Sequence, residues 1–189
     1  NGSLTLQGAT ATIIDGTFNN GGTLTLNTVS SSITVNGIFN ANTGGSISNL
    51  NTGPINFAAG SQYNHTLNGG TVPTATWNQT STCNITGMTS TSVNGLGQTF
   101  GNFTWNCASQ TAFMNVNNAG FGTLGLLTIA NTGAAHNFCL SQNNVNASSH
   151  GFGSISVTGG VFQITQRSSG TAGVVTVASA GDVSVTGSG

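Results

Sequence analysis

"IIDGTFNNGGTLTLN" at residues 13–27 is answered by "TVNGIFNANTGGSIS" at residues 34–48. The offset is 21 residues at the start and becomes 23 through an insertion ahead of the second Gly-Gly pair. Both copies alternate an apolar residue with Thr, Ser or Asn, the period-2 signature of a strand with one face inward and one outward. Farther along, "ISVTGG" from Ile155 returns as "VSVTGSG" from Val183, 28 residues later. Strand patterns that recur every twenty-odd residues are the mark of a solenoid, in which each repeat buries its apolar face only against its neighbours.

The same alternation runs outward through "SLTLQ" at Ser3, "SITVNG" at Ser32, "GSISVTGG" at Gly153, "VVTVAS" at Val174 and "DVSVTG" at Asp182. Gly, Asn and Asn-Gly clusters punctuate these segments and supply the turns. No stretch carries a helical period. The longest apolar run, "GFGTLGLLTIANTG" from Gly120, reads as a buried strand because of its glycines and its β-branched ending. The expected fold is therefore all-β: a parallel β-solenoid, a right-handed β-helix of roughly 7 to 9 coils of about 20 to 30 residues. Residues 1–189 form one solenoid section. The Asn-Gly opening and the "VTGSG" ending resemble internal turns and lack a polar cap, so the section reads as cut from a longer repetitive surface protein.

Composition agrees with stacked coils. Only 2% of residues are charged, against about a quarter in an ordinary domain, and the charged set is Asp15, Arg167 and Asp182. Like charges placed one above another on successive coils repel, whereas Thr, Ser and Asn tolerate stacking on their own kind and can pair in ladders. With a net charge of -1 and no Lys/Arg cluster, the electrostatic footprint of a nucleic-acid binder or an anionic-membrane binder is missing. No apolar run reaches the length of a membrane span, and no signal peptide opens the chain. A targeting segment for secretion would lie outside this sequence.

Chemistry is sparse. Glycosidases and lyases on β-helices need carboxylates as acid and base, or cations against a developing anion. Asp15 and Asp182 sit near opposite ends of the chain, so in a solenoid they cannot form a pair, and no enzyme activity is expected. His65, His136 and His150 lack metal-ligand spacing and read as solvated loop residues; no cofactor is expected. The Gly-rich "GFGSIS" and "GGTL" belong to β-repeats without a following helix, so they are not phosphate loops. Cys83, Cys107 and Cys139 do not make an even disulfide framework, lack the C-x-x-C spacing of a zinc site and read as small buried hydrophobes; the alternative is one Cys83–Cys107 bridge in an oxidising compartment, with Cys139 left over. Thr-x-Thr pairs such as Thr10/Thr12 and Thr23/Thr25 raise ice binding, but the outward rows mix Ser, Thr, Asn and Gln.

The aromatic segment "GSQYNHTLNGGTVPTATWNQTSTCNITG", residues 60–87, is the natural place to look for a site. By parity Trp77, Cys83 and Ile85 share a side, as do Phe103, Trp105 and Cys107, and as do Tyr63, His65 and Leu67. These sides are expected to face a wide, aromatic-filled core. The competing reading exposes Tyr63, His65 and Trp77 as glycan contacts.

From Ile55 to Cys107 the order G-S-x-Y-x-H, N-G-G, P-T-A-T-W, S-T-C-N-I-T-G and F-G-N-x-T-W-N-C resembles large repetitive surface and adhesin-like proteins of Bacteroidetes. That group is exported by the type IX pathway and includes gliding-motility adhesins. The resemblance implies an extracellular, cell-surface location and brings no catalytic residues; the sorting domain of that pathway is not present in the chain. The expected function is a structural or adhesive section of a cell-surface or fibre-forming protein. Its expected partners are neighbouring coils of the same or identical chains, together with surface glycans. A carbohydrate-binding module is the alternative, and an ice-binding solenoid the third reading.

Overall fold

The computed structural model describes residues 4–6, 11–26, 31–49, 54–116, 120–134, 136–142, 148–166 and 175–186. Among these residues there is no helix, and every paired strand is parallel to its neighbour. The fold is a β-solenoid. Its longest sheet has a path of eight strands: Thr17–Asn20, Ile38–Ala41, Gln62–His65, Thr82–Ile85, Asn102–Asn106, Gly122–Asn131, Ser148–Val157 and Val175–Ser179. The inner strands are bonded on both sides, which gives about six turns, slightly fewer than the seven to nine expected.

Register explains why the repeats keep their spacing. One inward column runs Phe18, Phe39, Tyr63, Cys83, Phe103, Leu127 and Ile155, rung by rung, and its register continues to the exposed Val183, at steps of 20 to 28 residues. Two positions on, a second column runs Asn20, Ala41, His65, Ile85 and Trp105. A shift of one residue in any coil would turn its apolar set to solvent, so the period-2 pattern holds the stack in register.

In the first coils the chain closes on two further faces. One carries Ala11–Ile14, Ser32–Val35, Ile55–Phe57 and Thr76–Trp77, with Ile14, Val35, Phe57 and Trp77 in register. The other carries Leu4–Leu6, Thr23–Leu26 and Ser46–Asn49. In the later coils Met114–Asn115, Asn137–Gln142 and Val161–Gln166 form a separate three-stranded sheet. Corners demand glycine where two coils approach. Gly95 has φ +79, and a Cβ there would lie 2.1 Å from the carbonyl oxygen of Val72 in the preceding coil.

The core is an aromatic column. Phe18, Phe39 and Tyr63 follow one another at 5.2 and 5.8 Å between ring centroids, and Trp77, Phe100, Phe103 and Phe121 continue the series at 5.0 to 5.1 Å. Trp77, Trp105, Phe103 and Ile85 are all buried, as their parity predicts. The apolar run from Gly120 is a strand as expected, Gly122–Asn131, but it is not buried throughout. Leu124 and Leu126 turn outward, 50% and 39% exposed, because the strand passes a corner and changes register between Thr123 and Leu126.

Candidate functional site

The strands Gln62–His65 and Thr76–Trp77 carry the three side chains proposed as glycan contacts, and all three point inward. Tyr63, His65 and Trp77 are 1%, 0% and 4% exposed, so the sugar-stacking assignment is corrected: their rings are filled over by neighbouring coils. Tyr63 Oη donates to His65 Nδ1 at 3.1 Å, and His65 Nε2–H donates to the Gly69 carbonyl at 2.6 Å. A carbonyl can only accept, so His65 is the neutral Nε2–H tautomer. Burial lowers its pKa, against the opposing pull of the Gly69 hydrogen bond. Burial also raises the Tyr63 phenol, assisted by the neighbouring Cys83. The pair is therefore a polar pin inside an aromatic core.

Both indoles end on a glutamine. Trp77 Nε1–H donates to Gln98 Oε1 at 3.0 Å, while Gln98 Nε2 donates to the carbonyls of Pro73 and Gly95. Trp105 Nε1–H donates to Gln110 Oε1 at 2.9 Å, while Gln110 Nε2 donates to the carbonyls of Ala112 and Asn137. Buried indole N–H groups need such partners. Sequence reasoning missed Gln98 and Gln110, because both lie outside the alternating segments. Their only local signal is an amide in a turn next to an aromatic strand.

Cys83 and Cys107 do not form the bridge considered for them. Cys83 is in register with Tyr63 and Phe103, and Cys107 lies four residues beyond Phe103, about 13 Å along the strand, well outside the reach of a disulfide. Burial pushes the Cys107 thiol up to about 11 and raises that of Cys83 well above its ordinary value. Neither thiol is poised to react.

The histidines are also corrected. His65 and His150 are buried, not solvated, and His150 Nδ1–H donates to the Phe121 carbonyl at 3.0 Å. Asp15 precedes the first rung of the long sheet and Asp182 the last, about 34 Å apart along the axis at the usual strand spacing. They cannot act as an acid–base pair. Arg167 lies outside the described residues. Among the described residues no three His, Cys, Asp or Glu side chains converge.

What the molecule presents outward is a column of small neutral polar groups: Asn19, Asn40, Asn64, Asn84, Thr104, Thr128, Ser156 and Ser184, in register down the long sheet. The asparagines form a ladder, each amide donating to the side-chain oxygen of the coil before it, at 2.8, 2.8 and 2.9 Å. Along this column no Thr-x-Thr array of the ice-binding kind is formed, since Asn and Ser share it. A groove of about 610 Å³ lies beside this sheet, where Gly122, Gly151 and Gly153 leave bare backbone between Thr99, Leu124 and Ser149. No ionisable side chain lines it, so it can hold a neutral ligand through hydroxyls and backbone but cannot supply acid, base or charge.

Comparison with protein families, curated proteins and solved structures finds no match to the chain.

Proposed function

We propose that the chain is a structural section of an extracellular bacterial surface or fibre-forming protein, serving by extension and display and through adhesive contact along its faces. The observation that carries this reading is the use of its polar and aromatic groups. The asparagine ladder, the Trp77–Gln98 pair, the Gln110–Asn137 hydrogen bond and the aromatic column all tie one coil to the next, and the aromatics that would stack on a sugar are inside. A neutral, ladder-forming outer face suits a rod whose repeats can be multiplied without charge repulsion. The resemblance of Ile55 to Cys107 to repetitive Bacteroidetes surface proteins supports a cell-surface location and type IX export. At the last described rung Val183 and Val185 are 63% and 73% exposed, a face suited to a further coil or a second copy.

Single-molecule pulling along the chain, together with a glycan panel, tests the proposal. A structural rod yields coil by coil, each step releasing about 70 to 100 Å for 20 to 28 residues. It also shows no saturable glycan binding. Saturable retention of a glycan by the folded chain, with unfolding in one undivided event, would move the protein to the carbohydrate-binding class.

A further inference from the structure

Asn68 is held in an unusual way. Its side-chain oxygen accepts three consecutive backbone N–H groups from the next coil, those of Thr89, Ser90 and Thr91, at 3.0, 3.0 and 2.9 Å. Its amide nitrogen lies 3.3 Å from Ser90 Oγ. The next residue is Gly69, with φ +81, whose own amide nitrogen donates to no group among the described residues. Three converging N–H groups form a nest that favours negative charge on the oxygen they surround.

We propose that Asn68 is a self-processing site, at which the Gly69 nitrogen closes on the Asn68 side chain and the three N–H groups act as an oxyanion hole. The Gly69 N–Asn68 Cγ bond forms and charge develops on Oδ1, where donors at 2.9 to 3.0 Å already stand. The Cγ–Nδ2 bond then breaks, and ammonia leaves with the proton from the Gly69 nitrogen. Water opens the resulting succinimide to an aspartyl or isoaspartyl residue. Bonds to an oxyanion are roughly twice as strong as those to a neutral carbonyl, so the nest stabilises the intermediate more than the starting amide. It also holds the product, because a carboxylate with several backbone N–H donors is strongly favoured in its charged form.

Two other Asn-Gly pairs serve as internal references. At Asn36-Gly37 the Gly37 nitrogen is engaged, donating to the Ile14 carbonyl at 2.9 Å, and Asn36 Nδ2 donates to Asp15 at 2.7 Å. At Asn94-Gly95, among the described residues, the Gly95 nitrogen donates to no group, as at Gly69, but no N–H group donates to the Asn94 side chain. The experiment is peptide mapping by mass spectrometry during incubation at neutral pH in ¹⁸O-water, on the folded protein and on the same chain unfolded in urea. Conversion at Asn68 is expected to be at least about tenfold faster in the folded protein than in urea, and faster than at Asn94 or Asn36. Ser90→Pro, which deletes the central donor, is expected to slow Asn68 about tenfold or more while leaving Asn94 unchanged. If Ser90→Pro does not fold, the comparison of folded with urea-unfolded wild type decides alone. Slower conversion of Asn68 in the folded state than in urea, or conversion no faster than at Asn94, would overturn the proposal.

Discussion

The indole of Trp77 lies face to face with the ring of Phe57 from the preceding coil, with centroids 4.1 Å apart and planes 5° from parallel. The two residues are register partners, so the strand spacing of a parallel sheet sets the ring separation directly. Tyr63 meets both rings edge-on, at 5.7 and 6.1 Å. The segment with the most chemically suggestive residues is thus a closely packed part of the core.

Truncating this pair removes contacts on both sides of a coil at once. Trp77→Ala is expected to cost about 3 to 5 kcal/mol, measured by urea denaturation. Asn40→Ala, on the half-buried outer ladder, is expected to cost about 1 kcal/mol. Equal losses at the two positions would contradict the division between core and outer ladder.

Gln110 anchors three groups and is 2% exposed. Gln110→Leu strands the Trp105 N–H and the carbonyls of Ala112 and Asn137, and is expected to cost about 3 kcal/mol or more. Pairing it with Trp105→Phe, which removes the stranded donor, is expected to cost less than the sum of the two single changes. Additive effects would show that the glutamine does not serve the indole.

The buried His65 makes stability depend on pH. Its pKa is lowered in the folded state from the ordinary 6.5, so the unfolded chain binds a proton more readily. Its contribution is complete above about pH 6.5 and is lost as pH falls toward the folded-state value, at up to about 1.4 kcal/mol per pH unit. His65→Gln is expected to flatten that slope in melts between neutral and mildly acid pH. An unchanged slope would place the acid sensitivity elsewhere.

The thiols are expected to be inert. Cys83 and Cys107 should react with a thiol reagent only after unfolding, and an oxidised sample should show no Cys83–Cys107 cross-linked peptide. Recovery of that peptide from folded protein would require a different register between the two strands.

Much of this architecture is legible in the residue order. Segments such as "GTLTLN" and "DVSVTG" locate strands correctly because their alternation is dictated by a sheet with one wet face. Parity also places Trp77, Cys83 and Ile85 inside without any structure. The burial of His65 and His150 is less legible, because polar residues in an Asn- and Gly-rich chain look solvated until the coil that covers them is known. The Trp77–Gln98 pair is hidden for a related reason. Gln98 reaches Trp77 across 21 residues, a distance that only the coil length converts into a contact.

The rings of the aromatic segment lie in the interior of a stack of coils. Iodide quenching of tryptophan fluorescence in the folded protein tests this placement most directly. With Trp77 and Trp105 at 4% and 0% exposure, both indoles should be protected until the chain is unfolded. Quenching of both at the rate of a free indole in the native state would contradict the account and return Trp77 to the surface as a sugar-stacking residue.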